Sequence, residues 1–169
     1  MAVDPEVFKA GMRRHAAGVT LVTTRFEGVP QGLTATAVCS VSAAPPMLLC
    51  CINRASNTFE AIRRAGVFAV NLLRFDDWPL ADRFGGAVAE YGESRFALGD
   101  WRHLGTGAPI LASAPVVFDC RVEEIHEGGS HGIVLGSVED VALHGIEDPL
   151  IYLDGGYNHL APARSDPQG

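Results

Sequence analysis

The chain has 169 residues, of which 47% are hydrophobic and 20% charged, the make-up of one folding unit with a core, which excludes a disordered chain and a multidomain machine. Thirteen Lys and Arg against twenty Asp and Glu leave a formal charge of −7, and the longest basic runs are the pairs Arg13-Arg14 and Arg63-Arg64, so nucleic acid is not an expected partner. Its apolar runs fall far short of the roughly 20 residues of a bilayer-spanning helix, and residues 1–6 lack the basic and apolar regions of a secretory signal, so a cytoplasmic protein without membrane contact is expected.

Asp4 stands where a helix cap is wanted and Pro5 follows at the first helical position. Val7, Phe8, Met12 and His15 then recur at helical spacing, so a short helix opens the chain and stops near Gly18. Residues 19–25 are β-branched and apolar, Glu27-Gly28-Val29-Pro30 reads as a turn, and 31–42 forms a second run, which together predict a hairpin. Pro45-Pro46 interrupts the chain, and the continuous apolar run 47–52 predicts a strand covered on both faces. From residue 53 the pattern becomes polar and cap-like. Asn57 and Glu60, three apart, resemble a capping box, and Gly66 marks the end of the helix.

Residues 67–73 read as another strand and 76–83 as a short helix. The stretch 85–107 is rich in glycine and polar groups with little periodicity, a mobile loop that Tyr91, Phe96 and Trp101 can pin down. Two long runs, 115–126 and 132–143, flank Glu127-Gly128-Gly129-Ser130, and a last short strand covers 150–153. About six strands with only two or three short helices point to a mainly β fold, a closed or nearly closed antiparallel barrel over residues 1–160. Residues 161–169 read as a flexible tail.

Three places could carry chemistry. In the segment Asn53, Arg54, Ala55, Ser56, Asn57, Thr58, the N–H groups of a helix start, a guanidinium and two hydroxyls can meet a phosphate, although a plain cap with a solvated arginine has the same composition. Thr34, Thr36, Ser40 and Ser42 fall at even spacing and share a strand face if no bulge intervenes, a surface for a flat polar ligand or simply for water. His131 follows Gly128-Gly129-Ser130 at the head of a strand, either a ligand-facing group or a hairpin-tip histidine. Cys39, Cys50, Cys51 and Cys120 have no C-x-x-C spacing and the histidines no H-E-x-x-H, so neither a disulfide framework nor a bound metal is expected. No P-loop and no G-x-G-x-x-G is present, which removes the common nucleotide-binding motifs.

Taken in order, several segments resemble the short-chain flavin reductase family, the reductase components of two-component flavin monooxygenases. They are Phe8-x-x-x-Met12, Gly18-Val19-Thr20-Leu21-Val22-Thr23-Thr24, Gly32-Leu33-Thr34-Ala35-Thr36-Ala37, Ser40-Val41-Ser42-Ala43-Ala44-Pro45-Pro46, Asn53-Arg54-x-Ser56-x-Thr58, Phe68-Ala69-Val70-Asn71-Leu72-Leu73, Gly129-Ser130-His131-x-Ile133-x-x-Gly136, and Leu150-Ile151-Tyr152 with Gly156-Tyr157. The resemblance implies an FMN-binding split β-barrel of Greek-key antiparallel strands with a few short peripheral helices. It also implies a homodimer with flavin sites near the subunit interface.

By the same resemblance, Thr34, Ala35, Thr36, Ser40 and Val41 lie along the isoalloxazine ring of FMN or FAD, and Cys51, Ile52 and Asn53 flank its other edge. Arg54, Ser56, Asn57 and Thr58 hold phosphate, Tyr157 belongs to the cofactor site, and His131 places the nicotinamide of NADH or NADPH. The implied reaction passes a hydride from nicotinamide C4 to flavin N5 and hands reduced flavin to a partner oxygenase. Many relatives have G-D-H where this chain has Gly129-Ser130-His131, so no fixed negative charge stands beside the imidazole. Two rival readings remain: a barrel with tightly held FMN resembling pyridoxamine phosphate oxidase, against which the single lysine, Lys9, argues, and a non-catalytic flavin- or haem-binding module.

Overall fold

A computed structural model of the protein describes residues 3–87, 92–145 and 148–161. The chain opens with α1 (Pro5–Arg13), β1 (Ala17–Gly18), β2 (Thr20–Phe26), β3 (Val29–Ala35), β4 (Val38–Ala43), β5 (Pro46–Asn53), α2 (Asn57–Ala65) and β6 (Val67–Leu72). It continues with α3 (Trp78–Gly85), β7 (Trp101–His103), β8 (Pro109–Leu111), β9 (Val116–Gly128), β10 (His131–Leu143), β11 (Ile151–Leu153) and β12 (Gly156–Asn158). Tyr91 and the tail beyond residue 161 lie outside the described residues.

Seven strands form one antiparallel sheet in the order β3-β2-β6-β9-β10-β5-β4. Its two edge strands are consecutive in the chain, joined only through Thr36 and Ala37. Laid flat, seven strands at about 4.8 Å spacing would hold those edges about 29 Å apart, whereas the three peptide steps from Ala35 to Val38 reach at most about 11 Å. The sheet must therefore roll up, and it closes into a barrel whose seam between β3 and β4 carries no ladder, a split barrel. The peptide at the seam is tied instead to β5, where the Cys51 N–H donates to the Ala37 carbonyl at 2.9 Å. The run 31–42, expected as one strand, is thus two.

Two layers of core result. Inside the barrel Val22, Leu48, Cys50, Ile52, Phe68, Val70 and Val134 pack with Phe59 and Ile62 of α2, which plugs one end. Outside it Leu21, Ala69 and Val117 pack against Leu80, Ala81 and Phe84 of α3. Strand β2 is buried on both faces because it lies between these layers. The buried Asn71 joins them. Its Nδ2 donates to the Leu21 carbonyl and the Thr23 hydroxyl, and its Oδ1 accepts from the Leu111 N–H at 2.7 Å.

Local chemistry fixes the connections. The β2–β3 turn places Glu27 and Gly28 at φ 50° and 81°, the left-handed pair that a two-residue hairpin needs. The cap of α2 is Ser56 rather than Asn57: its Oγ accepts from the Phe59 N–H at 3.1 Å. Glu60, expected to reach back to Asn57, instead holds Arg63 one turn on. Strand β5 differs too, since only Leu48, Cys50 and Ile52 face the core. Met47, Leu49 and Cys51 form a half-buried outer face.

The stretch 85–107, expected as a mobile loop, contains a short 3₁₀ turn and β7, which pairs with β8. Phe96 meets Phe84 edge-on with ring centres 5.0 Å apart, Trp101 meets it at a tilt at 5.6 Å, and both anchor the stretch. The two-residue β1 and the three-residue β12 are too short to leave a periodic signal, and with β11 they form a second small sheet. Among the described residues no helix is long and apolar enough to cross a membrane.

Candidate functional site

The outward residues of β5 run through two cavities. Leu49 and Cys51 line the first, about 640 Å³, together with Phe8 and Met12 of α1, Thr36, Val38 and Tyr152. Asn53 lines the second, a groove of about 780 Å³ shared with Arg54, Ala55, Glu60, Arg63, Glu127 and Ser130. Two residues along a strand, about 7 Å, separate the cysteine of one from the asparagine of the other. The pair reads as one cleft with an apolar end and a charged end. A space of several hundred Å³ with apolar walls and few polar groups suits a planar aromatic ligand.

At the charged end the loop after β5 folds on itself before α2 starts. Asn53 Oδ1 accepts from the Ala55 N–H at 2.9 Å, and the Asn53 carbonyl accepts from the Ser56 N–H and hydroxyl. The first two helical N–H groups, those of Asn57 and Thr58, have no carbonyl one turn back to meet and give this end a partial positive charge. Arg54 is braced against the β9–β10 turn: its N–H donates to the Ser130 carbonyl at 3.0 Å, Nη1 to the Gly129 carbonyl at 3.3 Å, and Nη2 pairs with Glu127 Oε1 at 2.8 Å. Arg63 is held by Glu60 through two hydrogen bonds, and that contact holds the Glu60 carboxyl below the usual range.

The remaining residues singled out in the sequence fall in three groups. Thr36 borders the 640 Å³ cavity and two neighbours, so it sits at the junction of the cleft. Ser40 lies in an adjoining groove at the mouth of the barrel, and Val41 is exposed beside it, at a register shift between Ser40 and Ser42 that breaks the expected single face of hydroxyls. Thr34 points the other way: its hydroxyl donates to the Ala81 carbonyl at 2.6 Å. Ala35 and Ile52 have buried side chains, which leaves only their backbone for a ligand, and Thr58 is buried at 3% exposure. Tyr157 stands with Thr34 and Tyr152 around a small cavity of about 190 Å³, and burial together with a hydrogen bond to Asp82 pushes its phenol up to about 12.

His131 heads β10 directly opposite Asn53, just after the β9–β10 turn, and lines neither of the two cavities. It is exposed, and its Nδ1 lies 2.9 Å from the Ser130 hydroxyl. The next residue, Gly132, faces inward under the Phe59 ring, and a Cβ there would collide with it. Phe59 thereby locks the start of α2 onto β10, so the helix that carries the charged groove and the strand that carries His131 are one rigid piece. Gly136 repeats the device four residues on, where a Cβ would come within 2.6 Å of Phe68.

Sequence reasoning missed Glu127 as a partner of Arg54, because 73 residues separate them and it takes both the β5–β10 and the β10–β9 registers to bring them together. It also missed His15, Ala17 and Tyr152 as cavity walls, although the spacing of Phe8 and Met12 signalled an apolar helix face. Of the four cysteines, Cys39 and Cys51 line the cleft. Cys50 and Cys120 lie in the core, where burial pushes their thiols up, that of Cys120 to about 12.

Comparison with known proteins bears on this geometry. Residues 12–161 match the flavin reductase like domain. The chain is 45% identical over 161 residues to an FMN reductase (NADH) RutF 1 of Methylorubrum extorquens, covering 95% of this chain and 79% of that protein. Among solved structures, nitrilotriacetate monooxygenase component B from Mycobacterium thermoresistibile superposes with a TM-score of 0.88 at 30% identity, over 97% of this chain and 90% of that one. BorF, the flavin reductase component of a bacterial two-component tryptophan halogenase, gives 0.86 at 26% identity, over 95% and 100%.

Proposed function

The chain belongs to the flavin reductase like domain family, and on that premise we propose that it reduces FMN with NADH in the cleft along β5 and releases the reduced flavin to an oxygenase component. The observation that carries the reading is the spacing along one strand: Leu49 and Cys51 project into an apolar cavity, and Asn53, two residues on, into a charged groove. FMN has the same polarity, an aromatic ring at one end and a phosphate at the other. The flavin supplies the redox chemistry, accepting a hydride from the nicotinamide.

The protein's own residues position and enclose. Thr36, the backbone of 36–38 and Cys51 form the walls nearest the ring, and Phe8, Met12 and Tyr152 keep water from it. Arg54, Ser56 and the N–H groups of Asn57 and Thr58 take the phosphate. Ser40 borders an adjoining groove and Thr34 and Tyr157 a small neighbouring cavity, while Val41, Ala35 and Ile52 offer backbone groups. His131 holds the nicotinamide, with Ser130 fixing the imidazole through a neutral hydrogen bond instead of an ionic one.

Preference for NADH over NADPH is supported by the NADH-linked RutF relatives and by the chain's scarcity of cations, which offers little to grip a 2′-phosphate. Val7, Phe8 and Met12 of α1 are 62%, 59% and 52% exposed, an apolar face that suits a homodimer closing over the cleft. We place the enzyme in the cytoplasm, where reduced nicotinamide is made. The test is steady-state oxidation of NADH and NADPH with FMN, FAD and riboflavin supplied in turn. NADH with FMN should be the fastest pair, and an oxidation rate that no flavin stimulates overturns the proposal.

A further inference from the structure

We propose that Glu127 is a built-in competitor for the flavin phosphate, an anion that occupies Arg54 when the groove holds no ligand and thereby limits how tightly flavin is held. The inference rests on the reading of the groove at the start of α2 as the phosphate end of the cleft. The groove has two guanidiniums, Arg54 and Arg63, and two carboxylates, Glu60 and Glu127, so its formal charge is zero. Both cations are already engaged, Arg54 with Glu127 at 2.8 Å and Arg63 with Glu60 at 2.8 Å.

The two pairs differ in kind. Glu60 and Arg63 are three apart on one helix, an arrangement that stabilises helices anywhere. Glu127 and Arg54 come from β9 and the β5–α2 loop, and nothing in local structure requires them to meet. Nor is Glu127 needed to hold Arg54 in place. The loop is fixed by the Arg54 N–H on the Ser130 carbonyl and by Nη1 on the Gly129 carbonyl, which leaves Nη2 as the arm that Glu127 takes.

A phosphate entering the groove must draw Nη2 away from Glu127 and lie beside a second negative charge. When the phosphate leaves, Glu127 closes on Arg54 again. Binding is therefore an exchange of one anion for another, with a small net gain, which is what a protein needs if its reduced flavin is to leave for another enzyme. The device acts on the phosphate alone, so riboflavin should not sense it.

The experiment titrates wild type, Glu127→Gln, Arg54→Ala and the double variant with FMN and with riboflavin, following flavin fluorescence. Glu127 is 72% exposed, so Glu127→Gln should fold normally. It should bind FMN about three- to fivefold more tightly, the range of an exposed ion pair, with riboflavin affinity unchanged. In the Arg54→Ala background the gain should vanish. Unchanged or weaker FMN binding by Glu127→Gln, in a protein whose wild type prefers FMN to riboflavin, overturns the inference. A gain that survives the loss of Arg54 does so as well, because it marks general repulsion instead of competition. If wild type binds FMN no better than riboflavin, the phosphate reading itself falls and the inference falls with it.

Discussion

Replacing Arg54 with alanine separates binding from chemistry. The guanidinium meets Glu127 at 2.8 Å and the Gly129 carbonyl at 3.3 Å, and in the proposed site a phosphate would take over the Glu127 arm. A hydrogen bond to a charged group contributes about 1.5–3 kcal/mol. The side chain is 39% exposed, so screening removes a good part of that, and giving up an exposed pair costs up to about 1 kcal/mol more. A net of about 1 kcal/mol remains, and the helix start of α2 stays in place in the variant. Arg54→Ala should thus raise the Kd for FMN about five- to tenfold, at 1.4 kcal/mol per decade, and leave riboflavin binding alone. Fluorescence titration reads both constants, and NADH oxidation at saturating FMN reads kcat, which should change by less than about twofold because the residue does not touch the reacting ring. A fall in saturated kcat with an unaltered FMN constant, or an equal loss for riboflavin, would refute the placement of the phosphate.

Three further outcomes follow from the same geometry. Gly132→Ala must push the Phe59 ring aside, an overpacking that costs about 1–3 kcal/mol; for a chain of this size calorimetry should show Tm lower by about 3 to 10 °C. His131→Ala should raise KM for NADH about fivefold, the value of one hydrogen bond, with the FMN Kd unchanged, and an unaltered KM removes His131 from the nicotinamide site. In the thiol series, burial raises the Cys50 and Cys120 pKa values, so both stay protonated and unreactive as pH rises through the range where an ordinary thiol ionises. Alkylation of the folded protein at mildly alkaline pH, read by peptide mass spectrometry, should therefore modify Cys39 and Cys51 first and be slowed at both by saturating FMN.

The barrel was legible because its strands are long enough to show. The runs 19–25, 47–52, 67–73, 115–126 and 132–143 each overlap an observed strand, and the turns at Gly28 and Gly129 carry the φ values that glycine permits. The split itself was not legible. Residues 31–42 have uninterrupted strand character, and only the demand that two sheet edges meet across Thr36 and Ala37 breaks them.

The candidate site shows the same division between local and long-range information. Ser56 and Arg54 announce a helix start by composition, and the structure puts Ser56 at the cap of α2 and Arg54 on the wall of the charged groove. The pairing of Arg54 with Glu127 depends on the β9–β10 turn and leaves no trace in either segment alone. Strand β5 misled in an instructive way. Its unbroken run of apolar residues predicts burial on both faces, but Leu49 and Cys51 are half-exposed in the single chain. Their apolar character belongs to the cavity they line, so hydrophobicity here records a cavity wall as well as a core.

The central claim is a location, and a crystal structure of the protein with FMN tests it most directly. The account predicts the ring in the 640 Å³ cavity between Thr36 and Cys51, and the phosphate within hydrogen-bond reach of Arg54 and the first turn of α2, with Glu127 turned away from the arginine. FMN found against α3, or with its phosphate pointing away from Arg54, would contradict it.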